Sequence, residues 1–339
     1  MSSRPLVPSL LSLLAVAAAL ALGGCGPKHD RLSPAGREPL RVMLDFFPNP
    51  DHAPLYAAQA DGEFGRAGLD VRIQTPPDPS TPLKLLAAGK VDVAISYEPE
   101  LLLARERGAP LVAVGALVQR PLTSIIALGS AKIRRPADLK GKRVGTAGIP
   151  YQSAYLRTIL VRAGVAPSSV REVNVGFGLV PAMLTKKVDA TLGGFWNYEG
   201  VQLELEKKKP AIVRVDQAGV PTYDELVLVV RREAAARQGG KIRRFVQALA
   251  RGEATLRRNP RPALAAILRA NPQAARPLQE ASLRATLPAF APPAGKPFGF
   301  QDPAQWNAYG QWMLRNHLLR RDPNASSALS NEFLAGQGG

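Results

Sequence analysis

The chain has 339 residues, 44 Lys and Arg against 27 Asp and Glu for a formal charge of +17, and one cysteine beside three histidines. That inventory excludes a disulfide-stapled fold and a structural Cys/His metal site, so the folded domain has to be stable through its core alone. The basic residues are scattered, often on helix faces (Arg105 and Arg107, then Arg243, Arg244, Arg251, Arg257 and Arg258), which describes a solvated surface rather than a nucleic-acid footprint.

Residues 1–24 read as a secretory signal: Arg4 provides a short positive region, and 10–22 is an apolar run broken by Ser12. Leu22-Gly23-Gly24-Cys25 resembles a bacterial lipobox and predicts Cys25 as the lipidated N-terminus of a mature, membrane-anchored, extracytoplasmic chain. Residues 25–38, rich in Gly, Pro and charge, read as a flexible tether. No second apolar run reaches the roughly 18 residues that span a bilayer.

From there strand-like and helix-like segments alternate. Strand 40–44 is followed by helix 53–67, strand 70–73, helix 81–88, strand 91–95, helix 98–107 and strands 111–117 and 123–127. After a polar break come strand 143–145, helix 153–163, strand 170–175, helix 180–185, strand 189–192 and helix 198–207. Residues 224–232 read as a strand returning to the first half, and the chain from 238 on is helical. The alternation predicts an α/β fold with open sheets covered by helices. An internal echo divides it in two. Residues 83–95 recur in character as 180–192, each a short amphipathic helix, a basic turn and Val-Asp leading into a strand. We therefore expect lobe one at 39–128 plus 225–339 and lobe two at 129–224, two lobes with open mixed sheets joined by a two-crossing hinge.

The strand ends carry the chemistry. The first runs into Phe46-Phe47-Pro48-Asn49, with His52 close behind, a composition suited to a pocket wall rather than a strand interior. The two echo strands end in Tyr97 with Glu98 and Glu100, and in Trp196, Tyr198 and Glu199. Phe46, Phe47, Tyr97, Trp196 and Tyr198 are candidates to stack a flat heterocycle, Glu199 to accept from a ring amine, and Asn49 and His52 to supply a donor and an acceptor. The turn Gly148-Ile149-Pro150-Tyr151-Gln152-Ser153 precedes a helix and offers backbone N–H groups. The plainer readings compete: Trp196 as core packing, Glu199 as a helix N-terminal acid. No H-E-x-x-H, Walker-type loop or G-x-S-x-G occurs, so no catalytic residue, metal or cofactor is predicted.

With these residues in hand, the chain resembles solute-binding lipoproteins of ABC importers with the type II periplasmic-binding-protein fold, and more narrowly the thiamine-biosynthesis-like group that binds pyrimidine precursors of thiamine. The resemblance rests on L-D-F-F-P-N-P-D-H (44–52), Y-A-A-Q-A-D-G-E-F (56–64), V-D-V-A-I-S-Y-E-P-E-L-L-L-A (91–104), A-L-V-Q-R-P-L-T-S-I (116–125), D-L-K-G-K-R-V-G (138–145) and G-G-F-W-N-Y-E-G (193–200). It implies that Phe46, where the group often has Trp, stacks on the pyrimidine, and that Tyr97, Glu199 and the 148–151 turn touch the ligand. It implies partners too: an ABC permease with its ATPase, and a monomeric receptor. Related enzymes that make the pyrimidine use a cysteine-rich iron motif, which is absent here. The expected ligand is a formylaminopyrimidine or hydroxymethylpyrimidine. A riboflavin-like heterocycle, an anion such as a sulfonate and, further off, a pyrimidine-synthesising enzyme are the alternatives, the anion being disfavoured by Glu98, Glu100 and Glu199.

Overall fold

Ten strands build two sheets in the computed structural model, which describes residues 36–337. The expected signal peptide, Cys25 and the tether as far as residue 35 lie outside the described residues. In chain order the strands are β1 (Glu38–Met43), β2 (Leu69–Gln74), β3 (Val93–Ser96), β4 (Leu111–Val118), β5 (Thr123–Ala127), β6 (Arg143–Thr146), β7 (Arg171–Asn174), β8 (Ala190–Phe195), β9 (Ala211–Arg214) and β10 (Leu226–Arg231). Sheet one has the order β2-β1-β3-β10-β4, and sheet two β7-β6-β8-β5-β9. In each, three parallel strands meet an antiparallel one that arrives from the other half: β10 in sheet one, β5 in sheet two. Strands β4 (LVAVGALV), at the edge of sheet one, and β5 (TSIIA), inside sheet two, are buried along their whole length, as sheets covered on both faces require.

The internal echo has a physical counterpart. Asp92, before β3, accepts from the Arg41 backbone N–H (2.8 Å) and pairs with its guanidinium (2.9 Å). Asp189, before β8, accepts from the Arg143 backbone N–H (2.8 Å) and pairs with that guanidinium (2.9 Å). The Val-Asp step thus sets the register of a parallel neighbour in both sheets.

The chain passes between the sheets at 119–122 and again at 215–225. Glu225 ties the two passages: it accepts from the N–H groups of Leu122 (2.6 Å) and Thr123 (2.8 Å), the Thr123 hydroxyl (2.9 Å) and the Tyr223 hydroxyl (3.0 Å). Beside it stands a buried aromatic cluster, with Tyr151 and Tyr155 at 5.0 Å and Tyr223 and Tyr309 at 5.2 Å between ring centroids. Helix Gly239–Arg258 packs against the helical segments Ala53–Ala60 and Glu63–Arg66, burying Ile242, Phe245, Val246 and Leu249, which are spaced for one helical face. Helix Arg276–Thr286 packs against both the turn Pro50–His52 and the segment Trp196–Gly200.

Four local expectations differ from the structure. Glu38, placed in the tether, already pairs in β1. The single helix expected over 53–67 is two, Ala53–Ala60 and Glu63–Arg66, parted at Gly62. Helix Pro150–Arg162 starts inside the expected turn, because Pro150 sits in its first turn, where a fixed φ and a missing N–H cost nothing. In place of one helix over 198–207 stand a π-helical turn, Trp196–Gly200, and the short helix Val201–Leu205.

Candidate functional site

The C-terminal ends of β1, β3 and β8 face one another across a narrow cavity of about 20 Å³, so its walls are drawn together. Its lining is Asp45, Phe46, Asn49, Asp51, Tyr97, Ala147, Ile149, Gln152, Leu179, Gly193, Phe195, Tyr198 and Glu199. Aromatic rings and carboxyls dominate, and neither lysine nor arginine is among them.

The β1 end organises one wall. Asn49 caps the turn Pro50–His52, its Oδ1 accepting from the Asp51 N–H (2.7 Å), while its Nδ2 donates to the Phe47 carbonyl (3.1 Å). The Asn49 N–H donates to His52 Nδ1 (3.3 Å), which leaves Nε2 to donate to Asp45 Oδ1 at 2.8 Å. Asp45 Oδ2 accepts from the Tyr97 hydroxyl at 2.7 Å. Burial, reinforced by the Asp45 charge, pushes the Tyr97 phenol well above its ordinary range, so it stays a donor. Asp45 therefore holds Tyr97 and His52 in place with both oxygens.

The opposite wall comes from β8 and the π-helical turn. Glu199 Oε2 accepts from the Phe195 N–H at 2.7 Å, and burial raises the Glu199 carboxyl to about 7. Tyr198 receives a hydrogen bond from Gln279 Nε2 at 3.0 Å. Gly193 has φ +112°, and a side chain there would run into the Gln152 carboxamide, whose Oε1 holds the Ala147 N–H at 2.8 Å. Asn197 reaches across the cleft to Asp51, whose carboxyl burial raises to about 6. Over the cleft, Phe177 of the second half meets Phe46 at 4.8 Å and Phe47 at 4.3 Å between centroids.

The structure thus brings Phe46, Asn49, Tyr97, Ile149, Tyr198 and Glu199 together around the cavity. It places the other candidates elsewhere. His52 is fully buried with both ring nitrogens hydrogen-bonded within the protein, and the polar groups of Asn49 are likewise occupied, so neither offers the free donor–acceptor pair expected. Phe47 is 42% exposed at the mouth. Trp196 turns away, donating to the Pro121 carbonyl (3.3 Å) beneath the Arg214 guanidinium. Tyr151 belongs to the aromatic cluster by the hinge, and Ser153 donates to Glu172 at 2.6 Å. Gly148 and Pro150 do not line the cavity, and with the helix starting at Pro150 the Gln152 N–H already donates to the Ile149 carbonyl (3.0 Å). Glu98 and Glu100 are buried away from it too, bonded to the Asp224 N–H and the Ser96 hydroxyl.

Sequence reasoning missed Asp45, Asp51, Ala147, Leu179, Gly193 and Phe195, and noted Gln152 only for its place in the turn. Asp45 and Asp51 stood inside the singled-out motif, but a buried carboxylate looks in sequence like a solvated one. Phe195 and Trp196 are neighbours on one strand end, where alternation sends one side chain inward and the next outward. The register decides which.

Comparison with known proteins adds further observations. The profile of the family described as "NMT1/THI5 like" matches residues 49–263. A Haemophilus influenzae protein named "Putative thiamine biosynthesis protein" is 39% identical over 256 residues, 75% of this chain and 81% of that one. The "Formylaminopyrimidine-binding protein" of Halalkalibacterium halodurans is 34% identical over 298 residues, 87% and 90% of the two chains. A more distant Legionella pneumophila relative, 26% identical over 86% of this chain and 91% of its own length, is named 4-amino-5-hydroxymethyl-2-methylpyrimidine phosphate synthase. Among solved structures, the alkanesulfonate-binding protein SsuA of Xanthomonas axonopodis pv. citri superposes with a TM-score of 0.65 at 19% identity, over 86% of this chain and 98% of that one. That last likeness is one of fold.

Proposed function

The chain belongs to the NMT1/THI5-like family, and on that premise we propose that it is the substrate-binding component of an ABC importer, capturing a small aminopyrimidine of the formylaminopyrimidine or hydroxymethylpyrimidine type. The observation that carries this reading is the lining of the cavity: Phe46, Tyr97, Phe195 and Tyr198 with the carboxyls of Asp45, Asp51 and Glu199, and no cationic side chain. Rings sandwich a flat heterocycle, and carboxylates accept from its amine in a dry site, where such bonds are strong. A sulfonate would meet carboxyls and no cation there, even though a sulfonate-binding protein shares the fold.

Ligand entry needs the walls to part, and hinge motion about residues 119–122 and 215–225 supplies that motion in this reading. The closed form would then present itself to a permease. Capture rather than catalysis fits the one histidine near the cavity, His52, whose ring is wholly bound within the protein. The proposal extends to an extracytoplasmic, monomeric protein held to a membrane through lipid on Cys25. Thermal melting with a hydroxymethyl aminopyrimidine, riboflavin and an alkanesulfonate tests the ligand class, because a ligand at 100 times its Kd adds about 2.7 kcal/mol of stability. A shift with the sulfonate alone would overturn the proposal.

A further inference from the structure

The end of sheet two remote from the cavity carries a second feature. The first residue of β5, Thr123, pairs with Phe195 of the cavity wall, whereas its last, Ala127, pairs with Ala211 at the start of β9. Just beyond Ala127 and just before Ala211, the chain gathers Lys132, Arg134, Lys207, Lys208 and Lys209 around one open groove, with no carboxylate among its lining residues. All five are exposed, and among the described residues none of them joins an ion pair. The other arginine-rich depression, around Arg105 and Arg232, has Glu106 and Asp322 in its wall.

The groove is held in shape by its backbone. The Gly129 N–H donates to the Lys208 carbonyl at 3.2 Å, and a side chain at Gly129 would strike the Lys209 carbonyl. Lys132 (φ 57°), Lys207 (φ 57°) and Lys209 (φ 48°) all lie in the left-handed region that favours glycine. Crowded like charges and lysines in a disfavoured backbone region both oppose folding, and such features persist where they serve a contact. Clustered cations of this kind suit the surface of an anionic bilayer, where phosphodiesters neutralise the ammonium groups.

We propose that this groove docks the protein on the phosphodiester headgroups of an anionic membrane. Groove and cavity lie at opposite ends of β5, so a chain resting on the bilayer keeps its cavity free to load. The inference rests on the reading that the protein works at a membrane, but its test measures headgroup binding and neither ligand capture nor transport.

The test is cosedimentation of the full chain with vesicles of phosphatidylcholine alone and with 30% phosphatidylglycerol, read as the ratio of the two affinities and compared between variants that share the same N-terminal segment. Lys207→Gln/Lys208→Gln/Lys209→Gln is compared with the charge-matched control Arg258→Gln/Arg261→Gln/Arg284→Gln, three exposed arginines elsewhere. At about fivefold per lysine, the groove variant loses on the order of a hundredfold in that ratio, and the control changes little. Equal losses in both variants would reduce the effect to net charge and overturn the proposal, as would a wild-type ratio near one. Full displacement by millimolar glycerol phosphate would also overturn it, by making the groove a site for free phosphate esters. Unchanged melting temperatures confirm that both variants fold.

Discussion

Asn197 Nδ2 donates to Asp51 Oδ1 at 2.5 Å, and this bond fastens the loop after β1 to the π-helical turn after β8. The same amide reaches the Thr286 hydroxyl at 2.6 Å, so helix Arg276–Thr286 braces the clasp from behind. Both partners are buried, Asn197 completely. The clasp belongs to the drawn-together state of the cleft, and parting the walls has to break it. Replacing Asn197 with Ala removes the nearer donor from a buried carboxyl, leaving the Thr286 hydroxyl at 3.4 Å, and is expected to cost about 1–3 kcal/mol. Aminopyrimidine affinity should fall about tenfold or more as closure weakens. Calorimetric titration of N197A checks it; unchanged affinity would mean that the clasp plays no part in closure.

Phe177 seals the mouth from the second half against Phe46 and Phe47. Phe177→Ala removes two ring contacts, each worth about 0.5–1.5 kcal/mol. Its expected signature is a faster ligand off-rate with a nearly constant on-rate, read by stopped-flow fluorescence.

Tyr97→Phe deletes the donor to Asp45 Oδ2. The carboxylate keeps His52 but loses its second partner, so a stability loss of about 1–3 kcal/mol is expected in a denaturant titration. A larger loss is expected from Glu225→Ala, which releases four donors on the two passages between the sheets. If E225A melted like the wild type, the assignment of Glu225 as the tie of the hinge would fail.

Burial raises Glu199 and Glu225 to about 7 and Asp51 to about 6, so the folded protein holds protons that the unfolded chain has released. The sign follows from proton linkage: these groups favour folding below their unfolded pKa values, and that contribution is lost as pH rises from about 4 through 7. At the acid end the Arg143 hydrogen bond holds Asp189 below its ordinary value, so its contribution fades as pH falls further. Melting temperature in the absence of ligand is therefore expected to be highest near pH 4 and to decline toward pH 7. Glu199→Gln should flatten that decline; a variant as pH-sensitive as the wild type would show that Glu199 does not titrate in this window.

The alternation of periodicities along the chain was enough to predict an α/β fold of two sheets, because strands buried on both faces and amphipathic helices leave their spacing in the order of residues. The echo between 83–95 and 180–192 likewise announced a repeated unit, which the structure expresses as the Arg41–Asp92 and Arg143–Asp189 pairs. Aromatic strand ends such as Phe46, Tyr97 and Tyr198 were legible for the same local reason. What required tertiary structure is how polar groups are shared across the cleft. His52 became a support for Asp45, Trp196 turned outward while Phe195 turned in, and Asp51 found Asn197, a residue 146 positions away. A donor's partner, and the dielectric around a carboxyl, depend on which distant segments pack together. Local sequence therefore marked the strand ends that line the cavity, and long-range packing decided which of their side chains face it.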